Sequence, residues 1–145
     1  MELFQNVHSY LAYIVLAFLI IAFVNALIGY VSNKEFALEK DFRISLFALI
    51  LSHIQLLLGL ILYFVSTSGF NAIQQLGIGG MNSAARLLAL EHPVTNILAI
   101  VFITIGWSRH KKTDNSKKKF GRIALFYGIG LVLILSRIPW AQWFN

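Results

Sequence analysis

The sequence contains no cysteine, which removes disulfides, thiolate-held metals and iron–sulfur clusters together. Charge is scarce as well. Only 12% of the 145 residues are Asp, Glu, Lys or Arg, about half the share of an ordinary soluble domain. Acidic residues number six and prolines two, and no pair of carboxylates is placed to face a common cleft. There is no phosphate loop, no nucleophile elbow and no zinc-ligand spacing, so hydrolytic chemistry has no support. Residues 1–7 hold no Lys or Arg. The first apolar run is too long for the core of a signal peptide and reads as a retained helix.

What is abundant is apolar surface. Hydrophobic residues make up 58% of the chain, and the mean hydropathy is +0.73. A membrane-spanning helix needs about 20 mostly apolar residues. Four stretches qualify: residues 7–31, 44–65, 86–107 and 123–143. They are too long for barrel strands and do not alternate in polarity. A helix also satisfies its own backbone in lipid. The expected fold is all-α: an integral membrane four-helix bundle, up-down-up-down, forming one domain over residues 1–145.

The net charge is +6, and its placement argues for a lipid bilayer rather than nucleic acid as partner. Lys34, Lys40 and Arg43 lie in the connection 32–43. Arg109, Lys111, Lys112, Lys117, Lys118, Lys119 and Arg122 lie in or beside the connection 108–122. Positive charge marks the cytoplasmic side. Both connections therefore belong there, and both termini belong on the periplasmic side of a bacterial inner membrane. His110, within the basic connection, reads as solvated. The connection 66–82 is neutral and glycine-rich. Asn82 or Ser83 suits the cap of the third helix, and Phe70, Ile73, Leu76 and Ile78 suit a short amphipathic piece on the membrane surface.

Polar side chains within lipid are costly and mark functional candidates. They are His8, Asn25, His53, Gln55, Glu91, His92, Asn96 and Arg137. A buried imidazole either bonds a neighbouring helix or ligates an iron. His53 and His92 are the expected ligand pair. Their depths from the cytoplasmic ends, roughly 13 Å and 22 Å at 1.5 Å per residue, differ by roughly 9 Å. His8, near the outer surface, is a third candidate that would pair with His92. Pro93 cannot donate its backbone bond and disturbs the helix beside His92. Such a kink fits either a cofactor pocket or ordinary packing. Glu91 and Arg137 lie at similar depth, and an unpaired charge there costs at least a few kcal/mol. A contact between the third and fourth helices is therefore expected. Arg86 or Arg137 alternatively suits a ligand carboxylate.

Several residues together resemble a group of small bacterial four-helix membrane proteins called cytochrome b or cytochrome b-like. They are His8-Ser9, His53-Ile54-Gln55 with Leu58-Gly59 and Tyr63, Arg86, Glu91-His92, the run Ile103-Thr104-Ile105-Gly106, and Pro139-Trp140. The likeness spans nearly the whole chain. His53-Ile54-Gln55 with Leu58-Gly59 is also similar to one half of the haem A synthase bundle, over a single helix. The resemblance implies haem b, with His8, His53 and His92 as candidate ligands and Arg86, Glu91 and Arg137 in support. Diheme cytochromes carry four helical ligand histidines. This chain has three in or near its helices, which limits it to one haem.

The leading expectation is thus a membrane-embedded haem-b protein or subunit taking part in electron transfer. The rival is a non-catalytic helical subunit stabilising a larger membrane complex, its histidines bonding neighbouring helices. A transporter fragment has little support, since no unwound segment or midplane carboxylate is evident. A homo-oligomer and a monomer are both open, because a four-helix bundle can bury its polar face internally.

Overall fold

The computed structural model describes residues 2–143. Among them the regular structure is helical throughout. Four helical stretches are long and apolar enough to cross a membrane: Glu2–Ser32, Leu38–Leu76, Ser83–His110 and Ser116–Ser136. The expected all-α bundle is what is observed. Its helices are α1 (Glu2–Ser32), α2 (Arg43–Val65), α3 (Phe70–Leu76), α4 (Ser83–Arg86), α5 (His92–His110), α6 (Ser116–Ser136) and α7 (Trp140–Trp143). α1 packs on α2 and α6, and α5 packs on α6 and α2, which closes a ring of four.

The contact between α5 and α6 is the most extensive, and glycine allows it. A Cβ on Gly106 would stand 2.5 Å from Cβ of Phe126, and one on Gly130 would stand 2.6 Å from Ile103. The core runs through Leu19, Ala22, Ala26, Ala48, Ala99, Ile103, Phe120, Ile123 and Tyr127. The outward faces carry large apolar side chains such as Leu57, Phe64 and Val132, each at least 60% exposed. In water such a surface would cost about 25 cal/mol per Å²; in lipid it costs nothing.

Helix ends depart from the expected ones where hydropathy does not mark them. α1 begins at Glu2 rather than residue 7, because its polar first turns are helical too. The fourth span is shifted as a whole. It starts at Ser116, where the Asn115 side chain accepts a bond from the Lys118 N–H, a standard cap for the unpaired donors of a first turn. The three lysines 117–119 thus belong to α6 and not to a loop. α6 ends at Ser136. Arg137 leaves helical geometry (φ −130, ψ 20), and Pro139 has no N–H with which to continue.

Two wide, π-type turns lead into spans. One, Leu38–Phe42, precedes α2; the other, Leu87–Glu91, joins α4 to α5. In the second, the His92 N–H reaches back to the Leu87 carbonyl. Pro93 follows at once and leaves its own upstream acceptor unused, so the expected disturbance takes the form of a widened turn. The connection 66–82 contains the short helix α3, in the segment expected to be amphipathic. Gly69 permits its entry, since a Cβ there would lie 2.2 Å from the Tyr63 carbonyl oxygen. Gly77 (φ +69) ends it. Asn82 caps α4 by accepting from the Ala85 N–H, as expected.

Candidate functional site

Beyond Val15 on α1 and Ile134 on α6 the packed core gives way to a cavity of about 430 Å³. All four spans contribute to its wall: His8 and Ala12 from α1, Gln55 and Gly59 from α2, His92 and Asn96 from α5, Ile134 from α6. The volume lies within the range of small-molecule sites, roughly 300–1,000 Å³. The cavity sits at the end of the bundle opposite the lysine-rich connections.

Two histidines meet across it. The ring centres of His8 and His92 are 6.4 Å apart, with ring planes at 88°. His92 Nδ1 is 2.8 Å from the Arg137 carbonyl oxygen. That oxygen can only accept, so Nδ1 carries the proton and Nε2 keeps a free lone pair. Asn96, one turn along, donates instead to the His92 carbonyl. His92 lines the cavity, and no hydrogen bond to its Nε2 is found among the described residues. His8 is arranged similarly. It too lines the cavity, and its Nδ1 is buried without a partner. Gln55 holds the His8 backbone, donating from Nε2 to the His8 carbonyl at 2.8 Å. Gly59, one turn further on α2, leaves room for the ring: a Cβ there would stand 3.2 Å from His8 Cε1.

The charged candidates assemble beside His92. Glu91 bridges two arginines, with Arg86 Nε 3.3 Å from one carboxylate oxygen and Arg137 Nε 3.6 Å from the other. The expected contact between the third and fourth spans is therefore present, with Arg86 as an added member. These side chains are 39–47% exposed, so the cluster is a rim and not a buried pair. None of the three lines the cavity wall.

His53 is not brought to this site. Its ring is exposed on the outer surface of the bundle. Nδ1 donates to the Leu49 carbonyl at 2.8 Å, and Nε2 lies 3.3 Å from Thr104 Oγ1. Thr104 is twelve residues beyond His92, about 18 Å along α5. His53 is therefore not brought to His92 as expected; the histidine that faces His92 is His8, the third candidate. His8 sits six residues inside α1, roughly 9 Å from its start, which brings it level with His92.

Two further corrections concern the opposite end. His110 is fully buried rather than solvated, because α5 runs on past Trp107. It lies among Phe36, Phe42 and Trp107. Asp41 was legible only as one charge in a mixed loop. Its side chain is buried, accepting at 2.8 Å from both Asn25 Nδ2 and the Ala37 N–H. The sequence signal that could have found it is Asn25 itself, a polar residue within an apolar helix that needs a partner.

Among the described residues no three or more His, Cys, Asp or Glu side chains gather as metal ligands. The chemistry available at the cavity is two imidazoles in a chamber of mixed lining, with polar side chains such as Gln5, Asn6, Ser9, Gln55 and Asn96 beside apolar ones such as Leu16, Leu56 and Ile134. The chain matches no protein-family model, no curated protein and no solved structure.

Proposed function

We propose that this chain is a membrane-embedded haem-b protein serving electron transfer, with His8 and His92 as the axial ligands. The observation that carries the reading is the pair itself. A metal held at about 2 Å by one nitrogen of each ring sets opposed ring centres roughly 6 Å apart, and these two stand 6.4 Å apart. Two imidazoles alone are a poor metal site, but a macrocycle brings four nitrogens of its own and asks the protein only for axial ligands. The donor set suits such a group, and Val15, Leu16, Leu56, Leu60 and Ile100 give the mixed lining of the cavity an apolar part. When bound, haem supplies one-electron redox chemistry.

The protein's part is to bind and orient. The Arg137 carbonyl fixes the His92 tautomer, so that Nε2 faces inward. Gln55 and Gly59 seat His8 from the α2 side. Val15, Ile100, Ile134 and Ile138 close the chamber toward the core. In this reading the membrane is a bacterial inner membrane. The lysine-rich connections face the cytoplasm, and the cavity and both termini face the periplasm.

The test is a reduced-minus-oxidised absorbance spectrum of protein purified from cells grown with ample haem. A bis-histidine α-band is expected. His8→Ala and His92→Ala should each abolish it, whereas His53→Ala and His110→Ala should leave it. A colourless wild-type protein would end the proposal.

A second reading, a subunit of a larger membrane complex, draws on His53 and Thr104. Polar groups in spans usually face the bundle interior, and these two lie on its outer surface. A stoichiometric partner co-purifying with wild-type protein and lost on His53→Leu would favour it. It does not compete for the cavity.

A further inference from the structure

Two polar atoms at the cavity are buried without partners: His8 Nδ1 and Gln55 Oε1. Buried polar atoms are satisfied in the great majority of cases, and leaving one unmade costs more than a bond gains. Among the described residues only one other side-chain atom shares this state, His110 Nε2 at the far end. The two cavity atoms are each without a bond, and their chemistry is complementary. Gln55 Oε1 can only accept. His8 Nδ1 becomes a donor whenever Nε2 is engaged as a ligand, since a neutral imidazole carries a single N–H.

The two residues already meet where α1 packs on α2, although the two atoms are not bonded to each other. Gln55 Nε2 already donates to the carbonyl of residue 8 at 2.8 Å, which fixes the direction of the amide: flipping it would set oxygen against oxygen. Gly59, on the same face of α2, meets the His8 ring at Cε1, the carbon between its two nitrogens. The α2 surface thus contacts both the backbone and the ring of His8 within one turn.

Resting on the haem reading above, we infer that Gln55 is the positioning residue for His8, its Oε1 accepting the Nδ1 proton once Nε2 takes up a ligand. Gln55 then does for His8 what the Arg137 carbonyl does for His92. Each imidazole is held at Nδ1 by protein and offers Nε2 to the cavity. The role has a measurable sign. An acceptor at Nδ1 raises the basicity of the ligating nitrogen and so favours the oxidised form. Removing it raises the midpoint potential.

The experiment is potentiometric titration of purified full-length wild type, Gln55→Leu and Gln55→Glu, with the low-spin electron paramagnetic resonance spectrum of each. Gln55→Leu should raise the potential by about 59 mV, the equivalent of a tenfold change in relative binding of the two oxidation states, and should shift the resonance. Gln55→Glu retains an acceptor and should restore the wild-type potential or lie below it. If Gln55→Leu does not fold, Gln55→Met takes its place as a flexible residue of similar volume. Unchanged potentials and resonances in haem-loaded Gln55→Leu or Gln55→Met would overturn the inference while leaving the ligand assignment intact, as would a Gln55→Glu potential raised like that of Gln55→Leu. A wild-type protein that holds no haem, or a bis-histidine spectrum that survives His8→Ala, overturns the parent reading and this one with it.

Discussion

Gly59 offers a graded test of the His8 seat. A methyl added there would stand 3.2 Å from His8 Cε1, a few tenths of an ångström inside comfortable carbon–carbon separation. Gly59→Ala therefore asks the imidazole to give slightly. Gly59→Val adds branches about 1.5 Å further out and leaves the ring no space where it now sits. Overpacking of this kind typically costs about 1–3 kcal/mol, so haem affinity should fall by roughly 5- to 150-fold at 1.4 kcal/mol per factor of ten. Gly59→Ala belongs at the low end and Gly59→Val at the high end. The helix itself responds in the opposite direction, because Ala is favoured over Gly in a helix interior by about 1 kcal/mol. The apo form of Gly59→Ala should thus be no less stable than wild type while its haem affinity is weaker. The assay is haem titration followed by absorbance, paired with denaturant unfolding of the apo proteins in detergent. The valine variant should also lose low-spin character as His8 is displaced. A Gly59→Val protein with wild-type affinity and an unaltered bis-histidine spectrum would refute the placement of His8 against α2.

Three other substitutions have definite expectations. Glu91→Gln leaves Arg86 and Arg137 without their carboxylate; since all three side chains are about half exposed, screening limits the loss to about 1 kcal/mol, and a loss of several kcal/mol in unfolding would show that the cluster is dry. Tyr127→Phe removes a fully buried hydroxyl that donates to the Ser45 carbonyl at 2.8 Å and should cost about 1 kcal/mol without changing the absorbance spectrum; a spectral change would contradict its distance from the cavity. Asp41→Ala removes both bonds that its side chain accepts and should cost about 1–3 kcal/mol, with Asn25→Ala non-additive in a double-mutant cycle; full additivity would deny the Asn25–Asp41 bond.

The spans were legible because lipid demands a run of fixed length, and the sequence has four such runs and no more. The ion pair was legible for the same reason: Glu91 and Arg137 had few other groups to answer them at that depth. The histidine pair at the cavity was half legible. His92 was singled out beside Pro93 with His8 as one of two partners, and His53 was preferred because depth was counted from helix ends that hydropathy marks poorly. Residues 2–6 are polar enough to read as a tail, yet they extend α1 and place His8 well inside it. Residues 116–122 are charged enough to read as a loop, yet they open α6. Which face a side chain takes is a further unknown in a span apolar all round. His53 turned outward and His110 turned inward, and neither choice is written in a hydropathy profile. Gln55 stood among the polar candidates, but its unmet bond appears only when α1 and α2 are set side by side.

The wide turn ahead of His92 has a consequence for the charged rim. Arg86 and Glu91 are five positions apart, and at 100° per residue a regular α-helix would set them about 140° away from each other around its axis. They are nonetheless in contact, at 3.3 Å. The i→i+5 bonding of Leu87–Glu91 slows the winding enough to return Glu91 to the side that Arg86 occupies. The surplus residue in that turn thus acts as a phase shifter. Excising Ala89 would leave the two residues four positions apart on a regular helix, about 40° from each other around the axis, so the contact between Arg86 and Glu91 would survive without the wide turn.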